Sequence, residues 1–497
     1  MSDQADRYDV IVVGAGYGGV TTAALCAKAG KRVLLLDKAT QAGGKAQTIR
    51  KGGYAYEMWP VLSLPADGSK FHELVAELDL DPSLLLVPEG DHAIELKYLR
   101  SDGTWSSYIG PSKQAEDPLA VDRLEETFGV APEDVEKMVA MVTQIFVMSD
   151  EEIDALDETG TLPWMRSFGV PDPVIAYMSA MLNLVFVAPV DRIPASEGIR
   201  TMRQLFLGGG GRYHAGGYGR IAELCAEYVQ THGGTFLTKA RVERILVEDG
   251  RAVGVATADA EYRAPVVVSN AGIQPTVLKL LGVGDVPDEY AKEIESLEPG
   301  LGMVGVRYFL DQRVLETGMI VAFSDRSWWD TERYENALQD EWPDVPLVFA
   351  AVTTEYDPSL APDGHQIILL GFLGSADPEA ELNAEAIARG EQAVADMWPG
   401  IPEHIIRREV YTAASVSNLT RDAVIPGQGG ECIGLSQVIG QCGGSKPDAR
   451  TPLPGLFIVG TDAGGWGCGT HQAVESGMNV AEMVLAELDG ITAGSRA

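Results

Sequence analysis

Short runs of aliphatic residues alternate with helix-like patterns at both ends of the chain. Val10–Val13 and Val33–Leu36 are continuous apolar runs, which are typical of strands buried on both faces of a parallel sheet. The alanine-rich stretch between them predicts a helix that is closed by Gly30. Leu456–Val459 is a similar run, and the stretch from Thr470 to Leu488 predicts a helix after it. The pattern therefore predicts an α/β fold in which both ends of the chain contribute to one domain.

Three glycines in G-x-G-x-x-G spacing follow the first predicted strand. Gly14 permits a tight turn, Gly16 lets a pyrophosphate approach the backbone, and Gly19 lets the helix pack close to the strand. The helix N-terminus offers free N–H groups and a positive dipole end to a phosphate. Asp37 comes 18 residues after Gly19, where a carboxylate can accept hydrogen bonds from an adenosine ribose. Together these residues predict a Rossmann-type dinucleotide site.

Two insertions separate the parts of this predicted unit. Residues 66–209 have a mostly helical pattern, with acidic residues outside and apolar residues at three-and-four spacing. Residues 290–430 contain strand-like runs such as GMVGVRYFL, LVFAAVTT and HQIILLGFLG. We therefore expect a discontinuous cofactor domain from residues 1–65, 210–289 and 431–497. The two insertions would form a substrate domain, in which a helical cap on a mixed sheet encloses an apolar chamber.

Further motifs continue the pattern in a fixed order. Gly43–Lys45 follow the second strand, and Tyr213–Gly234 combines a glycine-rich turn with a helix. Val266–Gly272, with the sequence VVVSNAG, predicts a returning strand, and Gly460–Asp462 end the last strand. This set resembles the FAD-dependent amine oxidase and phytoene desaturase superfamily. Its C-terminal part looks closest to the phytoene desaturase and retinol saturase-like branch. The resemblance implies that the cofactor is FAD.

The resemblance also suggests roles for individual residues. The predicted FAD contacts are Gly14, Gly16, Gly19, Asp37, Lys38, Gly44, Lys45, Val242, Asn270, Gly460, Asp462, Thr470, His471 and Gln472. The candidate catalytic residues are Tyr54, Glu57 and His471, and the predicted substrate pocket includes Trp59, Trp466 and Cys468. The turn Met58–Pro60 departs from the family, which often has Gly and Pro after the acidic residue. The surroundings of Cys432 and Cys442 do not match a covalent attachment motif, so we expect non-covalent FAD. No C-x-x-C pair occurs, and we expect no metal site.

Acidic residues outnumber basic residues by 72 to 38, which gives a net charge of −34. This balance argues against nucleic-acid binding and against a polybasic attachment to anionic lipid. The few, widely spaced cysteines and the lack of a signal-peptide pattern favour a cytoplasmic protein. Val174–Val190 is the run nearest to a spanning segment, but it contains Asn183. We expect a buried helix there, with a peripheral dip into a bilayer as the alternative.

The sequence contains one G-x-G-x-x-G dinucleotide motif, and this limits the electron donors and acceptors that we expect. Since a separate NAD(P)H domain is not indicated, the electron acceptor would be oxygen, a quinone or another carrier. We expect hydride transfer to flavin N5 that desaturates or saturates a carbon–carbon bond of a largely apolar substrate, such as an isoprenoid or an alicyclic carbonyl compound. The alternatives are a flavin amine oxidase and a non-catalytic lipid-binding protein like the GDP-dissociation inhibitors. The sequence specifies neither the substrate nor the oligomeric state.

Overall fold

The computed structural model describes residues 7–59, 69–86, 94–110, 127–208 and 212–494. Its strands, numbered in chain order, are β1 Val10–Val13, β2 Val33–Leu36, β3 Thr48–Lys51, β4 Tyr54–Glu57, β5 Leu85–Leu86, β6 Ile94–Leu99, β7 Trp105–Gly110, β8 Tyr213–His214, β9 Thr235–Leu237, β10 Val242–Glu248, β11 Arg251–Thr257, β12 Glu261–Arg263, β13 Val266–Ser269, β14 Gly302–Leu310, β15 Met319–Ser324, β16 Val348–Ala351, β17 Gln366–Gly374, β18 Ile405–Tyr411 and β19 Leu456–Ile458. Its α-helices are Tyr17–Lys28, Lys70–Glu77, Pro132–Val147, Asp150–Asp154, Thr161–Ser167, Asp172–Phe186, Ala195–Gly208, Arg220–Thr231, Ile273–Pro275, Asp288–Ser296, Thr331–Leu338, Glu381–Met397, Ile401–His404, Ala413–Leu419 and Gly469–Gly494.

A five-stranded parallel sheet has the order β19-β13-β1-β2-β9. Every residue of β1 and β2 is buried, as the aliphatic runs predict. Helices Tyr17–Lys28 and Gly469–Gly494 pack against each other and against the side of the sheet that contains Val12 and Leu35. The sheet therefore joins strands from both ends and the middle of the chain, and the fold is α/β with a Rossmann-type unit. The proposed bounds of the two domains stay a prediction.

A second sheet of seven strands is mixed, in the order β18-β14-β17-β16-β15-β6-β7. Successive side chains of a strand point to opposite faces. Met303 and Phe349 therefore lie in one core, which the helices of the first insertion share. Val304 and Val348 lie in another core, which helix Glu381–Met397 shares. The sheet is thus covered on both faces, and one of the covering layers is the predicted helical cap.

Residues 66–209, which the pattern predicts to be mostly helical, also contain the strands β6 and β7. The sequence of β6, IELKYL, alternates between the two faces and buries Leu96 and Tyr98. β6 pairs in parallel with β15, which belongs to the second insertion. The helical prediction holds for the described residues from 132 to 208, whereas residues 122–126 of the predicted helical stretch lie outside the described residues.

The apolar segment around Val174–Val190 is a helix inside the protein. Helix Asp172–Phe186 is buried at most of its positions, and the Asn183 side chain donates to the carbonyls of Ala188 and Trp329, both at 2.9 Å. Its buried residues belong to the core that lies against the seven-stranded sheet. The structure therefore agrees with the expectation of a buried helix, and the alternative of a peripheral contact with a bilayer stays a prediction.

Among the described helices, none combines the length and the apolar character that crossing a membrane requires.

Candidate functional site

A cavity of about 390 Å³ is lined by residues from the surroundings of both large sheets. On one side its lining comes from the loops that follow β1, β2, β13 and β19. These loops lie at the carboxyl ends of parallel strands, where open α/β sheets bind their ligands. On the other side the lining comes from the helical cap and from strands of the seven-stranded sheet. The cavity therefore has a polar section and an apolar section.

Glycines allow the loops of the polar section to approach one another closely. A Cβ atom on Gly16 would lie 2.7 Å from the side-chain amide of Asn270, and one on Gly460 would lie 2.6 Å from the same amide group. A Cβ atom on Gly44 would lie 3.0 Å from the Cα of Gly16. Gly14 has a φ of +94°, which L side chains rarely adopt. All five residues line the cavity, so bare backbone faces the space where a pyrophosphate is predicted.

Asp462 lines the cavity and organises a buried ion-pair cluster. Its Oδ2 accepts from the backbone N–H of Ile273 at 2.9 Å and from Nη1 of Arg421 at 2.7 Å. Its Oδ1 accepts from the backbone N–H of Leu435 at 3.0 Å. Nε of Arg421 lies 3.8 Å from the carboxylate of Glu431, which is also buried. Burial alone would raise the pKa of Asp462, but the charge of Arg421 and the two backbone N–H groups hold it below its ordinary value.

Lys45 brings a second buried cation to this cluster. Its Nζ donates to the backbone carbonyl of Glu431 at 2.5 Å, and burial lowers its pKa. The charged side chains in the described lining are Lys38, Lys45, Arg241, Lys279, Arg421, Asp37, Asp422 and Asp462. Cations thus outnumber carboxylates in this lining, although the whole chain is strongly acidic. The local excess of positive charge suits an anionic ligand.

Asp37 stands at the end of β2, as its place in the motif predicts. Its Oδ2 accepts from the backbone N–H of Ala15 at 2.6 Å, and its Oδ1 accepts from that of Ala39 at 2.7 Å. Burial raises its pKa, while these two N–H groups oppose the rise. Since a carboxylate can accept about four hydrogen bonds, Asp37 keeps capacity for a ribose hydroxyl. Lys38 and Val242 line the same section of the cavity.

The N-terminus of helix Gly469–Gly494 faces the cavity with Thr470 and His471. The hydroxyl of Thr470 lies 2.8 Å from the hydroxyl of Tyr218, so this helix end contacts the glycine-rich turn at the start of Tyr213–Gly234. Burial lowers the pKa of His471, so its imidazole is neutral near neutral pH. The helix end therefore brings partial positive charge and one neutral imidazole to the cavity.

The apolar section of the cavity is a chamber between the helical cap and the seven-stranded sheet. Its aliphatic, thioether and aromatic side chains are Trp59, Ile94, Met181, Leu184, Val185, Val187, Leu205, Met303, Met319 and Phe349. Cys468 also lines the cavity, and burial raises the pKa of its thiol to about 12. These side chains give the chamber an apolar wall, which favours an uncharged ligand.

Five of the predicted site residues do not line this cavity. The Nε2 of Gln472 donates to the carbonyl of Gly460 at 3.0 Å, so this side chain supports the loop after β19 from behind. A Cβ atom on Gly19 would lie 2.0 Å from the carbonyl oxygen of Gly14, which agrees with a packing role. Trp466 is 46% exposed, and the guanidinium of Arg200 lies 5.4 Å from its ring centre. The structure therefore corrects the placement of Trp466 in the substrate pocket, because its ring lies at the surface.

Tyr54 and Glu57 are the other two residues outside the cavity. The hydroxyl of Tyr54 lies 2.7 Å from Nδ1 of His365. The Oε1 of Glu57 accepts from the hydroxyl of Tyr213 and from the backbone N–H of Tyr218, the latter at 2.9 Å. These contacts turn both side chains toward the protein interior, so we give neither a part in the proposed reaction.

We predict that Glu57→Gln leaves substrate-dependent flavin reduction within about twofold of wild type. Burial raises the pKa of Glu57, so ionisation of this carboxyl opposes folding as the pH rises toward its folded-state pKa. The stabilisation that the protonated Glu57 carboxyl provides is therefore full below its unfolded-state pKa. It is lost as the pH rises through the folded-state pKa. Urea unfolding of both proteins between pH 5 and pH 8 should show the largest relative gain for the glutamine variant at pH 8. A gain that grows toward pH 5 would contradict this interpretation.

The sequence patterns missed Arg421, Asp422, Arg241 and Lys279, as well as most of the chamber wall. Arg421 and Asp422 follow a short helix in an irregular stretch, and their ionic partners are distant in sequence. No local motif marks such residues. The chamber residues come from helices and strands whose apolar faces also build the core, so their pattern does not distinguish a wall from packing.

A family model described as flavin containing amine oxidoreductase matches residues 17–485. The chain belongs to this family. It is 25% identical to prolycopene isomerase 2, chloroplastic, of an Oncidium hybrid cultivar, over 98% of this chain and 85% of that protein. It is 24% identical to all-trans-retinol 13,14-reductase of Homo sapiens, over 97% of this chain and 86% of that protein. An oxidoreductase from Methanosarcina mazei has the same fold, with a TM-score of 0.72 at 19% identity, over 95% of this chain and 100% of that one.

Membership of this family confirms the prediction of an FAD-dependent oxidoreductase, and the polar section fits FAD. Bare backbone at Gly16 and Gly44 suits a pyrophosphate, and Asp37 has acceptor capacity for a ribose. Lys45, Arg421 and the end of helix Gly469–Gly494 supply positive charge along the same cavity. The residues present are therefore of the chemical types that an extended dinucleotide requires.

Proposed function

We propose that this flavoenzyme adds or removes hydrogen across a carbon–carbon bond of a neutral, largely apolar isoprenoid or alicyclic carbonyl substrate. The observation that carries this proposal is the apolar chamber, which continues from the polar section of one cavity. Two family members similar to this chain are named as a prolycopene isomerase and as a retinol 13,14-reductase, and these names support an isoprenoid substrate. In the proposed division, most of the chamber wall belongs to the substrate domain of residues 66–209 and 290–430, and most of the polar section belongs to the FAD domain. Trp59, Arg421 and Asp422 are exceptions.

Bound FAD supplies a hydride acceptor at flavin N5, or a hydride donor in the reverse direction. The chain would hold the substrate in the chamber and exclude water from it. The helix end at Thr470 favours the negative charge of a reduced flavin. In desaturation one C–H bond gives up a hydride and the neighbouring C–H bond gives up a proton, so that a C=C bond forms. We assign the proton to the neutral imidazole of His471, because that residue lines the cavity and burial lowers its pKa.

We expect His471→Gln to lower the rate of substrate-dependent flavin reduction by about 100-fold, because glutamine cannot accept the proton. FAD content should stay stoichiometric, since the glycines, Asp37, Lys45 and Arg421 of the polar section are unchanged. Single-turnover kinetics and the absorbance ratio of flavin to protein measure the two quantities. A variant that retains wild-type rates across the accessible pH range would remove His471 from the reaction.

An amine oxidase is the second candidate, because the family description names amines. A protonated amine would meet the apolar wall of Leu184, Met303 and Phe349, where an unpaired charge is costly. Incubation of the purified protein with isoprenoid alkenes, cyclic ketones and amines, followed by mass spectrometry of the products, tests the choice. We expect a mass change of two hydrogens in a neutral substrate, with a quinone or oxygen as the electron acceptor. Peroxide release with amines alone would favour the amine oxidase.

A further inference from the structure

The segment Leu419–Asp422 lines the cofactor cavity with all four of its residues. Its first residue, Leu419, is the last residue of the helix Ala413–Leu419, which follows β18 of the seven-stranded sheet. From Thr420 to Gly430, all of which is described, the chain forms no helix or strand. Side-chain contacts of the segment, rather than regular secondary structure, therefore hold it against the polar section of the cavity.

Arg421 provides the inward contact of this segment. The exposed fraction of its side chain is 10%, and that of its partner Asp462 is 3%. An ion pair at this depth is screened very little by salt. This contact therefore joins Arg421 to the loop after β19 more tightly than an exposed ion pair would.

Asp422 provides the outward contact, through three ion pairs with one carboxylate. The Nζ of Lys38 lies 2.7 Å away, Nη1 of Arg241 lies 2.8 Å away, and Nζ of Lys279 lies 2.6 Å away. The three cations come from separate parts of the polar section: after β2, before β10 and in the π-helical turn Thr276–Leu280.

The outward contact is the weaker of the two. Asp422 is 21% exposed and Lys38 is 18% exposed, whereas the side chains of Arg241 and Lys279 are nearly half exposed. Pairs of this kind contribute little individually and are screened by salt. Because three of them share one carboxylate, they act as a network that breaks when Asp422 moves away. Asp422 is thus the point at which the segment can separate from the loops around Asp37.

We propose that Asp422 is an ionic latch that holds the outer end of the segment, beyond Arg421, against Lys38, Arg241 and Lys279 and so sets how long FAD is retained in the cavity. The proposal rests on the assignment of FAD to this cavity. Opening the latch breaks the three ion pairs around Asp422 and leaves the buried pair of Arg421 intact. Cofactor release should therefore depend on ionic strength, although the FAD contacts themselves are largely enclosed.

The test compares Asp422→Asn, which removes the charge and keeps the size, with Asp344→Asn as a matched control. Asp344 forms an ion pair with Arg326 in which both side chains are about two-thirds exposed, and neither residue lines the cavity. FAD release after dilution is followed by fluorescence at several NaCl concentrations. We expect release from Asp422→Asn to be about tenfold faster at low salt and nearly independent of salt. The wild type and the control should approach that rate as salt rises. Equal release rates in all three proteins would overturn the latch.

Amide hydrogen exchange of residues 413–422 provides a readout that does not depend on FAD. Faster exchange in Asp422→Asn than in the wild type and the control supports the latch, and unchanged exchange overturns it. A folded wild type that neither contains FAD nor takes it up contradicts the cofactor assignment. In that case the proposal that Asp422 controls FAD release also fails. Hydrogen exchange can still show that Asp422 holds the segment in place. The two failures are therefore distinguishable.

Discussion

Replacement of Arg421 by methionine is expected to lower the free energy of unfolding by about 3–5 kcal/mol and to yield protein without bound FAD. The change leaves the carboxylates of Asp462 and Glu431 buried without their guanidinium partner. Asp462 also holds the backbone N–H groups of Ile273 and Leu435, so the loops after β13 and before β19 should shift with it. Urea unfolding followed by circular dichroism measures the stability, and the flavin absorbance of the purified protein measures the cofactor.

The matched control is Arg241→Met, which removes another arginine that lines the same cavity. Its side chain is 48% exposed and pairs with a carboxylate that keeps two other cations, so we expect a loss of less than about 1 kcal/mol. If the free energy of unfolding of Arg421→Met is no lower than that of this control, the buried ion-pair cluster does not stabilise the fold as we predict.

Substitution of Leu184 by glutamate is expected to reduce kcat/KM for a neutral apolar substrate by at least about 100-fold at pH 8, while FAD stays bound. Leu184 is half-buried on the helical cap and lines the chamber, so a carboxylate there would meet the substrate without a cationic partner. Burial raises the pKa of such a carboxyl, and its neutral form is tolerated better. The loss should therefore shrink as the pH falls toward 5.

Leu184→Met keeps the chamber apolar at similar volume and should stay within about threefold of wild type. Steady-state kinetics with the same substrate at pH 5 to 8 compare the two variants. If glutamate and methionine have equal effects at every pH, the chamber does not bind the apolar part of the substrate.

The sheet around the cofactor could be predicted because its signals are local. Val10–Val13 and Val33–Leu36 form strands at the predicted residues, since a strand buried on both faces is a continuous aliphatic run. Gly14, Gly16 and Asp37 line one cavity because strand, turn, helix and acid follow one another within a single βαβ unit. The strand β14 likewise coincides with the predicted run GMVGVRYFL.

The remaining parts depend on contacts between distant residues. Strand β6 has a clear alternation, but its neighbour β15 lies more than two hundred residues away, so its place in the second sheet is set by tertiary pairing. Trp466 follows the cofactor motif in sequence, yet the turn before helix Gly469–Gly494 directs it to the surface. Glu57 stands at the position of a family acid, but Tyr213 and Tyr218 bind it inside the core. The spacing of residues along the chain does not predict which strand pairs with β6, or whether a side chain such as Trp466 or Glu57 faces the solvent, the cavity or the core.

The most direct test of the central claim is an anaerobic stopped-flow measurement of the bound flavin. The oxidised protein is mixed with neutral isoprenoids, cyclic ketones, amines or NAD(P)H, and the dithionite-reduced protein is mixed with the corresponding alkenes. We predict rapid loss of visible flavin absorbance, or its rapid return, with a neutral apolar compound, and slow or no change with amines and NAD(P)H. A flavin that responds to amines alone, or to NAD(P)H and to no organic compound, would contradict the account.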